Sequence, residues 1–111
     1  MKTQPVLVTG ATGYVGGRLV PRLLAAGYRI RALGRSPAKL RSRPWGGHPL
    51  LELAQGDVLD EASLHRAAQG CWAAFYLVHS MTAAARDFAE VDRRAASNLA
   101  RAAAVAGLDR I

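Results

Sequence analysis

Val6-Leu-Val-Thr-Gly-Ala-Thr-Gly-Tyr-Val-Gly16 joins a short apolar run to three glycines spaced three apart, and then to a helical pattern. It reads as a β-strand entering a phosphate-binding turn. Gly10 lets the chain turn sharply off the strand. Gly13 leaves bare backbone where a diphosphate needs to touch, and Gly16 lets the next helix lie close on the strand. The first N–H groups of a helix have no internal partner and carry the positive end of the helix dipole, so the turn from Thr12 to Val15 is a ready anion site. Glycine triplets also occur as plain turns. Here a strand precedes the motif, a helix follows it, and the motif heads an alternating strand–helix chain, which is the context the phosphate reading requires.

Outward from the turn, Val15, Leu19, Val20, Leu23 and Leu24 recur at helical spacing up to a C-cap at Gly27, with a kink expected at Pro21. Residues 29–33 read as a second strand. A short helix around 38–40 and a loop follow, since three prolines and the Gly46-Gly47 pair exclude regular structure across that region. Residues 50–55 read as a third strand. Asp60 N-caps a helix through Gln69, stopped by Gly70, with Leu64, Ala67 and Ala68 as its apolar positions. Residues 73–78 form a continuous apolar run, as expected of a strand covered on both faces. Phe88, Val91, Ala95, Leu99, Ala102 and Ala106 mark a long last helix capped by Gly107. The alternation argues for an α/β fold, a Rossmann-type doubly wound parallel sheet of order 3-2-1-4, with ligand at the carboxyl ends of strands one and four. The chain stops where a fifth strand would begin. It is therefore expected to be the N-terminal part of a longer protein, with residues 1–111 forming one dinucleotide-binding domain. Left alone, its open fourth strand is expected to promote self-association.

The 111 residues are half apolar and 21% charged, which excludes a disordered chain and leaves no membrane-spanning run. No secretory signal precedes the first strand. The single cysteine, Cys71, excludes an internal disulfide and suits a reducing, cytoplasmic compartment; it reads as a small apolar packing residue. A net charge of +7 and a pI near 10.8 raise the question of nucleic acid. The positive residues gather at Arg29, Arg31, Arg35, Lys39, Arg41 and Arg43, with Arg93, Arg94 and Arg101 on the last helix, and aromatic residues are only 6%. Without interleaved stacking residues, the cluster reads as a site for the phosphates of a small ligand plus solvated surface. A basic nucleic-acid-binding domain is the third reading; neither nucleic acid nor membrane is an expected partner. His48, His65 and His79 fall in different elements with no metal-like spacing, so no metal site is expected.

Thr9-Gly-Ala-Thr-Gly-Tyr-Val-Gly16, with Gly56-Asp57-Val58 and Leu77-Val-His-Ser80, resembles the short-chain dehydrogenase/reductase superfamily. The likeness is to its extended and atypical branches, the nucleoside-diphosphate-sugar epimerase-like and NmrA-like NAD(P)-binding proteins. The resemblance implies that Gly10, Thr12, Gly13, Tyr14, Val15 and Gly16 hold a pyrophosphate. It implies that Arg35 reads the adenosine ribose, Asp57 and Val58 contact adenine, and His79 lines the nicotinamide-side ribose. An acid after strand two would accept from a 2′-hydroxyl and repel a 2′-phosphate, whereas a guanidinium matches phosphate; Arg35 therefore favours NADP over NAD, with Ser36 and Lys39 as helpers. The competing readings are a solvated Arg35, Asp57 as a turn or cap residue, and His79 as a hydrogen-bonded wall of the cleft.

The superfamily's usual proton-transfer pair is Tyr-x-x-x-Lys. No lysine follows Lys39, and Ser80 stands where Tyr76 would need one. No catalytic residue is assigned. The resemblance implies the NADP-preferring portion of an oxidoreductase or epimerase-like protein, inactive as these residues alone. The alternative is a non-catalytic, NmrA-like NAD(P) sensor.

Overall fold

A computed structural model describes residues 3–77 and 85–108, with side chains at 14, 85–89, 91 and 92 outside the described set. Eight elements alternate: β1 (Val6–Thr9), α1 (Tyr14–Ala25), β2 (Ile30–Gly34), α2 (Pro37–Arg41), β3 (Leu51–Gln55), α3 (Glu61–Ala68), β4 (Ala73–Tyr76) and α4 (Ala85–Ala106). The strands form one parallel sheet in the order β3-β2-β1-β4, as the alternation predicts. The expected end of strand four at Val78 and the helical positions Phe88 and Val91 lie outside the described backbone or side chains.

Strand pleating sends successive side chains to opposite faces, and the two cores follow from it. Val6 and Val8 of β1 join Ile30, Ala32, Val20, Leu24, Leu40 and Trp45 beneath α1 and α2. Leu7 joins Leu33, Ala74, Leu64, Ala67, Ala68, Leu99 and Ala102 beneath α3 and α4. All four residues of β1 are buried, as befits a strand flanked by β2 and β4 and covered on both sides. β4 is covered less completely than its apolar run suggests: Phe75 is 38% exposed.

Helix α1 runs on through Pro21 as one helix of 12 residues. Its end follows the glycine prediction closely. Gly27 adopts φ 91°, its N–H donates to Leu24 O at 3.0 Å, and Tyr28 N–H donates to Leu23 O at 3.1 Å. Gly107 and Leu108 repeat this arrangement on Ala104 and Ala103. Both are Schellman caps, which the left-handed glycine makes possible. The start of α3 differs from expectation. Asp60 occupies the cap position, but its side chain makes no cap bond. Buried Ser63 supplies the order there, its one Oγ proton lying between the carbonyls of Asp60 (2.8 Å) and Asp57 (3.0 Å).

Arg31 corrects the reading of the basic cluster as ligand site plus solvated surface. Its Nη1 donates to Ala67 O at 2.6 Å and Gln69 O at 2.5 Å, and Nε pairs with Glu52 Oε1 at 3.0 Å. Arg31 stands directly opposite Glu52 in the β2–β3 register. The guanidinium therefore satisfies carbonyls at the negative end of α3 and ties that helix to the sheet. The Arg31 side chain is 19% exposed and that of Glu52 54%. Arg31→Met should lower stability by roughly 2–4 kcal/mol, because the carbonyls at the helix end lose a charged donor. Glu52→Gln should cost less than about 1 kcal/mol, since an exposed ion pair contributes little. Urea midpoints of the two variants check this; equal shifts would place the stabilisation in the ion pair.

Candidate functional site

The glycine turn lies at the carboxyl end of β1, between β2 and β4. Gly10 leaves the strand at φ 80°, a conformation costly for other residues, and its carbonyl accepts from Gly13 N–H at 3.0 Å. A Cβ on Gly16 would lie 2.7 Å from Ala11 Cα and collide with the Gly10 carbonyl oxygen. The first turn of α1 thus rests on the backbone of the strand exit. Gly13 also serves the packing of the turn itself. Its φ of −78° suits any residue, and an added Cβ would sit 3.3 Å from Gly10 O, so its bareness serves the tightness of the turn.

The amino end of α1 is open to an anion. Its cap residue Gly13 offers no side-chain bond, and no acidic residue occupies the first turn. The N–H groups of Tyr14, Val15 and Gly16 therefore lack a side-chain cap, and Thr12 and Gly13 are exposed beside them. A diphosphate fits these features: uncapped donors, a favourable dipole and no competing carboxylate. Val15, expected on the apolar core face, is instead 50% exposed at this end of the helix, where an apolar contact with a ligand is available.

On one side of the turn, Arg35 is exposed immediately after β2. Arg43 reaches across from the loop after α2 and donates from Nη2 to Thr12 O at 3.0 Å. Farther along the carboxyl edge of the sheet, the Asp57-Val58 segment is held from two helices. Asp57 N–H donates to Ser63 Oγ at 3.0 Å, and Asn98 Nδ2 of α4 donates to Val58 O at 2.9 Å. One Asp57 oxygen accepts from Leu59 N–H at 3.0 Å, so the carboxylate does form the turn foreseen as its competing role. Its other oxygen, Oδ2, has no partner among the described residues.

Sequence reasoning misses Ser63 and Asn98. A serine among the apolar positions of α3 and an asparagine on an alanine-rich helix are the only signals they carry. His79 lies outside the described residues. His48 belongs to loop structure, accepting from Leu50 N–H at 3.1 Å, and His65 pairs with Glu61 at 2.9 Å. Among the described residues no cluster could hold a metal ion, and no helix is long and apolar enough to cross a membrane.

Arg101 of α4 donates to Glu61 Oε1 from Nε (3.1 Å) and Nη2 (3.0 Å), joining the two helices that support the Asp57-Val58 segment. These bonds from Arg101, and then the one from His65, hold the Glu61 carboxyl below its ordinary pKa of 4.5. Cys71 is buried against α3, and desolvation raises its thiol pKa despite the nearby Arg31 guanidinium.

A family model described as NAD(P)H-binding matches residues 10–111. Dihydroflavonol 4-reductase of Zea mays is 39% identical over 87 residues, 74% of this chain and 24% of that protein. Cinnamoyl-CoA reductase 1 of Oryza sativa subsp. japonica is 37% identical over 112 residues, 97% of this chain and 33% of that protein. The structure of dTDP-glucose 4,6-dehydratase from Streptomyces venezuelae, solved with NAD bound, superposes with a TM-score of 0.78 at 27% identity, over 94% of this chain and 37% of that one. The chain spans about a quarter to a third of the length of these curated relatives.

Two consequences are measurable. Gly16→Ala should destabilise by roughly 2–4 kcal/mol, because backbone must move to admit the methyl group. Gly17→Ala, where an added Cβ meets nothing within 4 Å, should stabilise by about 0.5–1 kcal/mol; urea titration of both variants is the check, and similar effects at the two positions would refute the close approach. Because Glu61 has a folded pKa below its unfolded value, its pairing stabilises above pH 4.5 and is lost as pH falls through the folded pKa. Glu61→Gln should accordingly flatten the acid limb of a stability–pH profile and leave its slope near neutrality unchanged.

Proposed function

The chain belongs to the NAD(P)H-binding family of Rossmann-type, short-chain-dehydrogenase-like proteins, and from that we propose that it is the dinucleotide-binding portion of a reductase or epimerase-like enzyme that prefers NADP. The observation that carries the reading is the uncapped amino end of α1, set over Gly10 and Gly16 at the carboxyl edge of the sheet. When bound, the nicotinamide cofactor supplies hydride transfer. The chain's own residues then bind and orient. The N–H groups of Tyr14, Val15 and Gly16 receive the pyrophosphate, Thr12 and Gly13 border it, and exposed Val15 packs on its apolar flank. Asp57 Oδ2 accepts from the adenine amine, and Val58 lines the adenine.

The NADP preference rests on Arg35, an exposed guanidinium at the position that faces the adenosine ribose in a doubly wound fold. Two of the similar plant proteins are named as reductases, which supports the redox reading. The dehydratase structure holds NAD, so cofactor choice is the point to measure. Calorimetric titration of the full chain is expected to give binding of both dinucleotides, with NADPH the tighter. Binding of neither would end the proposal. Arg35→Asp should weaken NADPH by at least about tenfold, the effect of removing one charge-assisted hydrogen bond, and spare NADH. Equal weakening of both would remove Arg35 as the selector.

A further inference from the structure

The loop between α2 and β3 is irregular, as expected, and it carries one side chain into the core. Trp45 is only 8% exposed and packs in the core with Leu40 and Ile30. Gly46 lies so close to the end of α2 that a Cβ would come 2.6 Å from the carbonyl carbon of Arg41. Gly46 N–H donates to Arg43 O at 2.8 Å, Arg43 N–H to Leu40 O at 3.2 Å, and His48 N–H to Trp45 O at 3.1 Å. The backbone of Arg43 is thus fastened on both sides, with a tryptophan anchor two residues away. From this base the exposed side chain crosses to the glycine turn and donates one Nη2 bond to Thr12 O at 3.0 Å.

A solvated arginine has no reason to be positioned in this way. The carbonyl bond takes one of five N–H donors that the guanidinium carries in a fixed fork. The others have no partner among the described residues, and Arg35 is exposed just after β2, the strand next to β1. With no carboxylate paired to either arginine among the described residues, the pair presents positive charge to the crevice.

We propose that Arg43 is a second selector for NADP, its guanidinium held by the Thr12 carbonyl so that its remaining donors meet the 2′-phosphate of the adenosine ribose. The assignment rests on the dinucleotide reading above and adds to it a residue from a different loop. Trp45, two residues on, fixes the backbone from which Arg43 reaches the turn.

The test is calorimetric titration of NADPH and NADH into the full chain as wild type, Arg43→Gln and Arg43→Lys, with circular dichroism melts to establish that each variant is folded. Arg43→Gln is expected to weaken NADPH by roughly ten- to a hundredfold, the range for loss of a charge-assisted hydrogen bond, and to change NADH by less than about twofold. Arg43→Lys, which keeps the charge and loses the fork, should fall between wild type and Arg43→Gln for NADPH. Unchanged NADPH affinity in both variants overturns the proposal. So does equal weakening of both dinucleotides, which would make Arg43 a support for the turn or a pyrophosphate ligand. A wild type that binds NADH and NADPH alike, with both variants unaltered, overturns the Arg43 assignment and leaves dinucleotide binding intact; a wild type that binds neither overturns both.

Discussion

The interaction on which the site depends is backbone against backbone: the first turn of α1 at Gly16 rests on Gly10 and Ala11 as the chain leaves β1. No side chain fits between them. That approach fixes the direction of α1 relative to the sheet, and with it the direction in which the helix's unpaired N–H groups point. Gly10 provides the left-handed turn that makes the approach geometrically possible. The uncapped helix end is therefore a by-product of packing at one point, and the same packing places Val20 and Leu24 in the core below.

The parts of the fold that follow from backbone chemistry are legible in the residues. Alternation of apolar runs with helical spacing leads to a parallel sheet, and the order β3-β2-β1-β4 follows from handed crossovers. Gly27 and Gly107 mark helix ends because only the left-handed residue closes a Schellman cap so readily. What the residues alone do not reveal is set by tertiary partners. Arg31 looks like its neighbours Arg29 and Arg35 in the chain, and only the arrival of the α3 carboxyl end over β2 makes it structural. Asp60 has the right type and position for a cap, yet its side chain makes no cap bond, and the side-chain bonds at this helix start come instead from buried Ser63. The tripeptide around Val58 gives no hint that Asn98, 40 residues later, holds its carbonyl.

The positive charge, which on composition alone suggests a polyanion partner, divides by location. Arg31 neutralises a helix end, Arg101 joins α3 to α4 through Glu61, and Arg93 pairs with Glu90 along its own helix. Arg43 reaches the glycine turn through its bond to Thr12 O, and Arg35 is exposed just after β2. A net charge is thus a poor guide to partners until its contributors are placed: here several of them are occupied with the fold's own carbonyls and carboxylates.

The pairing of β1 with β4 also bears on how the molecule forms. Thr9 Oγ1 donates to Phe75 O across 66 residues of chain, whereas β2 returns to β1 after a single helix. Closing the longer loop carries the larger entropic penalty and belongs to the slow, non-local part of folding. During synthesis, β1, β2 and β3 can assemble while the other edge of β1 still waits for its partner. For that interval the most apolar strand of the sheet presents open backbone donors and acceptors, and a neighbouring nascent chain could pair there before β4 does.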